Sequence, residues 1–136
     1  MSSSDTSDEP RWLTATMLMA IHAQQIERYG GAHGVLDENV VRSALARPMQ
    51  RWACDDDPDL ADLAAALLVG FARSQGFNDG NKRTGLASAL VFLGLNGWAL
   101  HVPPKELYAL TMRAATGQSD DQVVAAFLRE RITPRS

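Results

Sequence analysis

The sequence predicts an all-α fold, a compact bundle of about six helices, and three observations support this prediction. Apolar residues recur at helical spacing through most of the chain. Helix-capping and helix-stopping residues divide these stretches into segments of ordinary helix length. Residues 98–102 are the one stretch with the composition of a strand, so at most a short hairpin or extended flap is expected over the bundle.

The chain of 136 residues has the usual size of one domain, which we expect at residues 11–132. Residues 1–10, rich in Ser and Asp, are expected to form a disordered tail, and residues 133–136 a short C-terminal tail. The net charge of -3 lacks the basic excess typical of nucleic-acid-binding proteins, so direct nucleic-acid binding is not expected. Cys54 is the only cysteine, and no apolar run approaches the roughly 20 residues of a bilayer span. These features predict a cytoplasmic protein that does not enter a membrane.

The N-terminal half is predicted to form three helices. Thr14 caps the first, which a Gly-Gly pair stops. Asp37 caps a shorter second helix, which Pro48 is expected to end. Residues 55–58, DDDP, are expected to open the third, because carboxylates and proline suit a first turn. The body of this third helix, residues 60–74, is apolar almost all round, which predicts a central position.

The C-terminal half is predicted to contain three more helices and the extended piece. The fourth helix, residues 81–95, is again mostly apolar, and an Asn-Gly pair stops it. A Pro-Pro pair bounds the extended piece at residues 98–102. Residues 105–115 and 119–131 are predicted to form the two closing helices, the second opened by a capping box that starts at Ser119.

The stretch SQGFNDGNKRTG, residues 74–85, joins the third and fourth helices and places two cations where they oppose the local electrostatics. Lys82 and Arg83 lie at the positive end of the helix dipole, so a bound anion would offset their repulsion. Gly80 allows close approach of the backbone, and the first amides of the helix are free donors, which suits phosphate. Asp79 offers an oxygen ligand for Mg²⁺ bridged to the same phosphates. Together these residues describe a site for a nucleotide triphosphate.

A plainer interpretation stands beside this one. Asp-Gly is also an ordinary turn, and a Lys-Arg pair usually lies solvated on a surface. Most helix N-termini bind only water, although they bind anions readily. Generic chemistry alone therefore leaves the phosphate site and the simple turn equally open.

The same stretch resembles the signature of the Fic/Doc superfamily, HxFx(D/N)GN(G/K)R, and its lysine before the arginine is similar to Doc toxins rather than to Fic adenylyltransferases. Four flanking stretches resemble Doc proteins in the same order, namely ERYGGAHG, SALARP, LVFLGLNGW and AATG. The resemblance covers residues 11–131. It implies an all-α Fic fold and a toxin of a bacterial toxin–antitoxin pair.

The resemblance also implies an activity and its site. Doc toxins use ATP and Mg²⁺ to phosphorylate a threonine of elongation factor Tu, which halts translation. On this likeness Asp79 would hold the metal, and Phe77 would be structural. The implied catalytic positions are Gln75, Asp79, Lys82 and Arg83. The implied nucleotide-binding set is Phe77, Asn78, Asp79, Gly80, Asn81, Lys82 and Arg83.

One position departs from the signature, because Gln75 stands where the signature has its histidine, the general base for the target hydroxyl. A carboxamide accepts a hydrogen bond from a hydroxyl but cannot take its proton. Losing a general base costs typically about 10²- to 10⁴-fold in rate, so we expect a weak or inactive enzyme with an intact nucleotide pocket. The otherwise intact signature favours an introduced replacement over a natural loss, and one sequence leaves both open.

The remaining histidines are not predicted to act as the base. His22 lies on the apolar face of the first helix and is expected to be a packed core or groove residue, whereas His33 and His101 lie in a loop and in the extended piece. A lone histidine is rarely catalytic without a positioned partner.

Restraint of the implied toxin is expected to come from another chain. Many Fic proteins carry an inhibitory helix with the pattern (S/T)xxxE(G/N), and none of the five glutamates here follows a Ser or Thr at that spacing. A Phd-like antitoxin is therefore the expected partner, in a groove along the first helix and residues 29–37. Two alternatives stay open: a Fic-type adenylyltransferase that transfers AMP, and a catalytically silent module that binds a partner or a nucleotide.

Overall fold

The computed structural model describes residues 9–135 and has the predicted all-helical architecture with one small sheet. The predicted N-terminal tail lies outside the described residues, apart from its last two positions. None of the described helices is long and apolar enough to cross a bilayer. The elements are α1 (Ala15–Tyr29), α2 (Glu38–Cys54), α3 (Leu60–Ala72), α4 (Asn81–Leu95), β1 (Trp98–Leu100), α5 (Pro104–Ala115), α6 (Asp121–Arg131) and β2 (Ile132–Pro134).

Helix α3 is the centre of the bundle, as its apolar pattern predicts. Ten of its 13 residues are buried, and it packs against α2, α4, α5 and α6. The approach of α4 is closest at Gly85, where a Cβ atom would lie only 2.9 Å from the carbonyl oxygen of Leu68. The two most apolar helices thus form the core, and the loop between them is placed directly on it.

Helix α2 runs through Pro48 to Cys54, so the prediction that Pro48 ends it was wrong. A proline inside a helix removes one backbone hydrogen bond and strains the turn before it. Contacts made by the following turns offset this cost. Trp52 packs edge to face on Trp12, with 6.3 Å between the ring centroids, and Arg51 pairs with a carboxylate of α6 at 2.6 Å. Trp12 and the α6 carboxylate are far from α2 in the sequence, so local helix signals do not reveal these contacts.

The starts of α3 and α6 also differ from the prediction, because in each case a neighbouring aspartate is the cap. The DDDP run precedes α3 without capping it, and Asp59 forms a capping box with Asp62. At α6 the side chain of Asp120, not that of Ser119, accepts the hydrogen bond from a first-turn amide. Ser119 is buried, and its carbonyl oxygen accepts a hydrogen bond from Arg73 at 2.8 Å.

The expected short hairpin is a two-stranded antiparallel sheet. In β1 and β2, Trp98 lies opposite Pro134, and Ala99 lies opposite Thr133. β1 was predicted as the extended piece, whereas its partner strand takes in residues that we assigned to the C-terminal tail. Three residues are too few to show an alternating pattern, so the sequence carries no sign of this pairing.

Candidate functional site

Phe77 fixes the loop between α3 and α4 to the core. Its side chain is fully buried and stacks on the ring of His22, with 3.8 Å between centroids and 9° between planes. Asn81 then clamps the backbone of the same residue. Its Oδ1 accepts a hydrogen bond from the Phe77 amide at 2.9 Å, and its Nδ2 donates to the Phe77 carbonyl at 3.0 Å. Both polar atoms of the Asn81 side chain are therefore engaged inside the loop, and its backbone amide is the group left to meet a ligand.

The outer side of the loop is tied to the segment that follows α1. Val35 forms an isolated antiparallel bridge with Phe77. The backbone amide of Asn78 donates to the carbonyl of Gly34 at 3.1 Å, and its side-chain Nδ2 donates to the carbonyl of His33 at 3.1 Å. Asn78 thus binds the neighbouring segment with both of its nitrogen atoms. The loop is held from two sides, which limits how far its backbone can move.

The N-terminus of α4 is left open by its cap. Gly80 precedes the helix with φ 78° and ψ 20°, a left-handed conformation that glycine adopts without strain. A Cβ atom there would approach Ile26 Cδ1 to 3.0 Å. No side chain caps this helix, whereas side chains do cap α1, α2, α3 and α6. The first amides of α4 are therefore free donors at the positive end of a helix dipole, the arrangement that binds anions.

Asp79 is exposed beside this helix start and makes two contacts with α1 and its following segment. Its Oδ2 accepts a hydrogen bond from the Ala32 amide at 2.7 Å, and its backbone carbonyl lies 2.8 Å from Nε2 of His22. The other carboxylate oxygen has no hydrogen-bond partner among residues 9–135. Asp79 can therefore offer one oxygen to a cation while the second keeps the carboxylate in place.

The two adjacent cations have different surroundings. Lys82 is exposed and forms no ion pair within the described part of the chain. Arg83 turns toward the C-terminal end of α1, where Nη1 donates to the Gln25 carbonyl at 3.2 Å and Nη2 to the Gly30 carbonyl at 2.9 Å. Its guanidinium carbon also lies 5.5 Å from the ring centroid of Tyr29. Arg83 thus joins α4 to α1, and both cations line the cavity beside the helix start.

Gln75, the position of the signature histidine, is exposed between the end of α3 and the buried Phe77. His22 is buried, as predicted, with 2% of its surface exposed. His33 and His101 are both exposed. His22 nevertheless contacts the loop through Asp79, a link between residues 57 positions apart that the sequence alone does not reveal.

A cavity of about 480 Å³ adjoins the open helix start. One wall is the first turn of α4, and the other is α5, a helix to which the sequence analysis assigned no role. Tyr108 on α5 is 66% exposed at this cavity. The sequence carried no separate signal for this wall, because the exposure of Tyr108 is known only from the fold. The cavity gives the anion-binding end of α4 an adjoining space with an apolar wall, lined on the α5 side by Pro104, Leu107, Tyr108, Thr111 and Met112.

Comparison with known proteins assigns the chain to a family. The family model described as Fic/DOC family matches residues 12–93, more than half of the chain. The chain is 41% identical over 119 residues, 88% of its length, to "Protein kinase doc" of Escherichia phage P1 and covers 94% of that protein. It is 44% identical over 70 residues to "Toxin Doc" of Mycolicibacterium smegmatis, which is 51% of this chain and 54% of that relative. The interpretation of Gln75 as a replaced catalytic histidine stays a prediction. The match to the family model and the 41% identity over 88% of the chain show that the chain belongs to the Fic/DOC family.

Proposed function

We propose that the chain is a Doc-type toxin, an ATP-dependent protein kinase that phosphorylates a threonine of elongation factor Tu and so halts translation. The similarity to a protein kinase over 88% of the chain supports the reaction class. The similarity to a protein named Toxin Doc supports a place in a toxin–antitoxin system. Because translation takes place in the cytoplasm, the proposal includes a cytoplasmic location.

The observation that carries the proposal is the open start of α4. Its first amides have no side-chain cap, Gly80 brings the backbone close to a ligand, and Lys82 stands beside them without an ion-pair partner among the described residues. Helix N-termini of this kind bind phosphate through backbone amides and the helix dipole. The adjoining cavity of about 480 Å³ leaves room for the rest of a nucleotide.

Mg²⁺ fits the donors at this loop. Asp79 has one carboxylate oxygen without a hydrogen-bond partner within residues 9–135, and no group of three His, Cys, Asp or Glu side chains gathers there to form a complete metal site. Mg²⁺ commonly takes one or two carboxylates and completes its shell with phosphate oxygens and water. When bound, the ion would neutralise phosphate charge.

The residues of this chain then have distinct roles in phosphoryl transfer. The amides after Gly80 and the ammonium of Lys82 bind and orient phosphate, which is most of what catalysis of this reaction requires. Gln75 accepts a hydrogen bond from the target hydroxyl and orients it, but leaves the proton in place. The proposal therefore includes a rate about 10²- to 10⁴-fold below that of a protein with a histidine at this position.

A Phd-like antitoxin is the partner that we propose for the surface beside the site. Leu36 and Tyr29 are each 62% exposed on the segment that holds the loop, so apolar side chains lie uncovered there. We expect Leu36→Ala to weaken binding of the cognate antitoxin. Val123→Ala on α6, where the side chain is 52% exposed, is the matched control. Equal affinities for both variants would place the antitoxin elsewhere.

The test of the enzymatic proposal is a paired transfer assay. The protein and its Gln75→His variant are incubated with elongation factor Tu, Mg²⁺ and ATP labelled at either the α or the γ phosphate. Gln118→His adds a histidine at another exposed position and is the matched control. We expect γ label on a threonine of the factor with Gln75→His, and little or none with the parent protein or the control.

The other outcomes separate the alternatives. Label from the α phosphate would assign the chain to the adenylyltransferases. Absence of both labels, with Gln75→His folded and harmless to cells, would favour a silent binding module. Equal transfer by Gln118→His and Gln75→His would show that position 75 is not the site of the base.

A further inference from the structure

His22 is a buried, ionisable side chain with no part in the proposed chemistry. It comes from the middle of α1, is 2% exposed, and lies under the signature loop. Its ring stacks on Phe77, and its Nε2 lies 2.8 Å from the carbonyl oxygen of Asp79. A carbonyl oxygen only accepts hydrogen bonds, so Nε2 must carry the proton and donate it. The contact therefore fixes both the tautomer of the ring and the direction of one carbonyl group.

The direction of that carbonyl determines where the next amide points. In a planar trans peptide the C=O and N–H groups point in opposite directions. The carbonyl of the Asp79–Gly80 peptide points at His22 in the interior, so the N–H of Gly80 points away from His22 and outward. The uncapped amides of α4 follow this amide directly in the chain. A buried side chain thus sets the orientation of the first amide of the anion-binding backbone.

We infer that His22 is a positioning residue for anion binding: its Nε2–H holds the Asp79–Gly80 peptide so that the Gly80 amide faces a bound phosphate group. This inference rests on the proposed function of the loop. The carboxylate of Asp79 is held separately by the Ala32 amide at 2.7 Å, so the two contacts fix the backbone and the side chain of one residue independently. Without the His22 contact the peptide loses the hydrogen bond that fixes the direction of its carbonyl, and the Gly80 amide becomes a less well-oriented donor.

Two substitutions separate the hydrogen bond from the packing. His22→Phe keeps an aromatic ring against Phe77 and removes the donor. His22→Gln loses the ring and keeps an amide N–H that reaches about as far as Nε2. Ile21→Val, at the neighbouring buried position of α1, is the matched control for a small loss of packing.

The first measurement is the affinity of each folded variant for inorganic tripolyphosphate by calorimetry, at one salt concentration. We expect His22→Phe to bind about tenfold more weakly or worse, because hydrogen bonds to charged groups are strong. His22→Gln should stay within about threefold of the parent, and Ile21→Val should bind as the parent does, since neither removes the donor. A merely structural role would instead make affinity follow thermal stability, with His22→Gln as impaired as His22→Phe. That pattern would overturn the inference.

The second measurement needs no ligand and is made on the full chain. Nitrogen-15 spectra of the imidazole should show the proton on Nε2 of His22, and the Gly80 amide resonance should shift in His22→Phe but stay near its place in His22→Gln. A proton on Nδ1 alone, or an unmoved Gly80 resonance in His22→Phe, would overturn the inference. A parent protein that fails to bind tripolyphosphate would instead refute the proposed function, and the spectra would then decide the role of His22 by themselves.

Discussion

The clamp between Asn81 and Phe77 offers the sharpest test of how the signature loop is held. One amide side chain, 8% exposed, satisfies both the N–H and the C=O of a residue that is itself fully buried. Asn81→Ala would leave both groups without a partner in the interior. Each unsatisfied buried group costs about 1–3 kcal/mol, so the loss of two partners should lower the free energy of unfolding by about 2–6 kcal/mol. For a domain of this size that is a fall in Tm of roughly 6 to 24 °C.

Asn81→Asp tests the same clamp through pH. One oxygen of the introduced carboxyl can still accept from the Phe77 amide, but the other would lie about where Nδ2 now donates, 3.0 Å from the Phe77 carbonyl oxygen. Two acceptors then face each other in a buried place, which disfavours the charged form more than the helix dipole, worth about 1 kcal/mol or less, favours it. The pKa of the introduced carboxyl is thus raised in the folded state. Its stabilising protonated form is present at low pH and is lost as the pH rises through that value.

Urea denaturation at several pH values measures both effects. Asn39→Ala is the control, because Asn39 is an exposed asparagine whose Oδ1 accepts a hydrogen bond from Arg42. It should change stability by no more than about 0.5 kcal/mol. The gap between the parent and Asn81→Asp should widen from pH 4 to pH 7. A cost for Asn81→Ala equal to that of Asn39→Ala, or a gap that does not change with pH, would refute the clamp.

Two further predictions concern the helices that carry the loop. Gly85→Ala should destabilise the protein by about 1–3 kcal/mol, since its Cβ would lie 2.9 Å from a carbonyl oxygen of α3. Gly94→Ala is the control, because its Cβ would meet nothing nearer than 3.6 Å, and it should stabilise the protein by up to about 1 kcal/mol. Thermal unfolding measures both. Burial raises the pKa of Asp59, but hydrogen bonds from Arg129 and the Asp62 backbone outweigh it and lower that pKa overall. The stability gained from the ionised Asp59 is therefore present above roughly pH 4 and lost on acidification, so the difference between the parent and Asp59→Asn should shrink below that pH in urea titrations.

The helices were predictable where the signals that form them are local. The caps at Thr14 and Asp37 and the end of α4 lie within a few residues of the turns they control, and the structure agrees with each of them. Pro48 was misjudged because the contacts that keep α2 intact come from Trp12 and α6. The strand β2 was missed because its partner β1 lies more than 30 residues earlier. These two errors concern contacts that the chain makes only after it folds, whereas the caps of α3 and α6 were assigned to neighbouring residues.

The candidate site shows the same division between local and distant causes. The composition of the loop predicts a cluster of an acid, a flexible glycine and two cations, and the structure does bring Asp79, Gly80 and Lys82 to one helix start. The sequence does not show which groups of the loop face inward. The side chain of Asn81 and the backbone carbonyl of Asp79 both point into the fold. Nε2 of His22, on α1, donates a hydrogen bond to that carbonyl.

The fold changes how the charges of the two cations at the start of α4 are offset. Two cations at the positive end of a helix dipole suggest that an anion is needed to offset both of them. The structure offsets one internally, because Arg83 donates to two carbonyls at the C-terminal end of α1 and lies over Tyr29. That end of a helix is where positive charge is stabilising. The charge of Arg83 is therefore partly offset within the protein, so Lys82 and the uncapped amides carry the larger share of the electrostatic case for an anion.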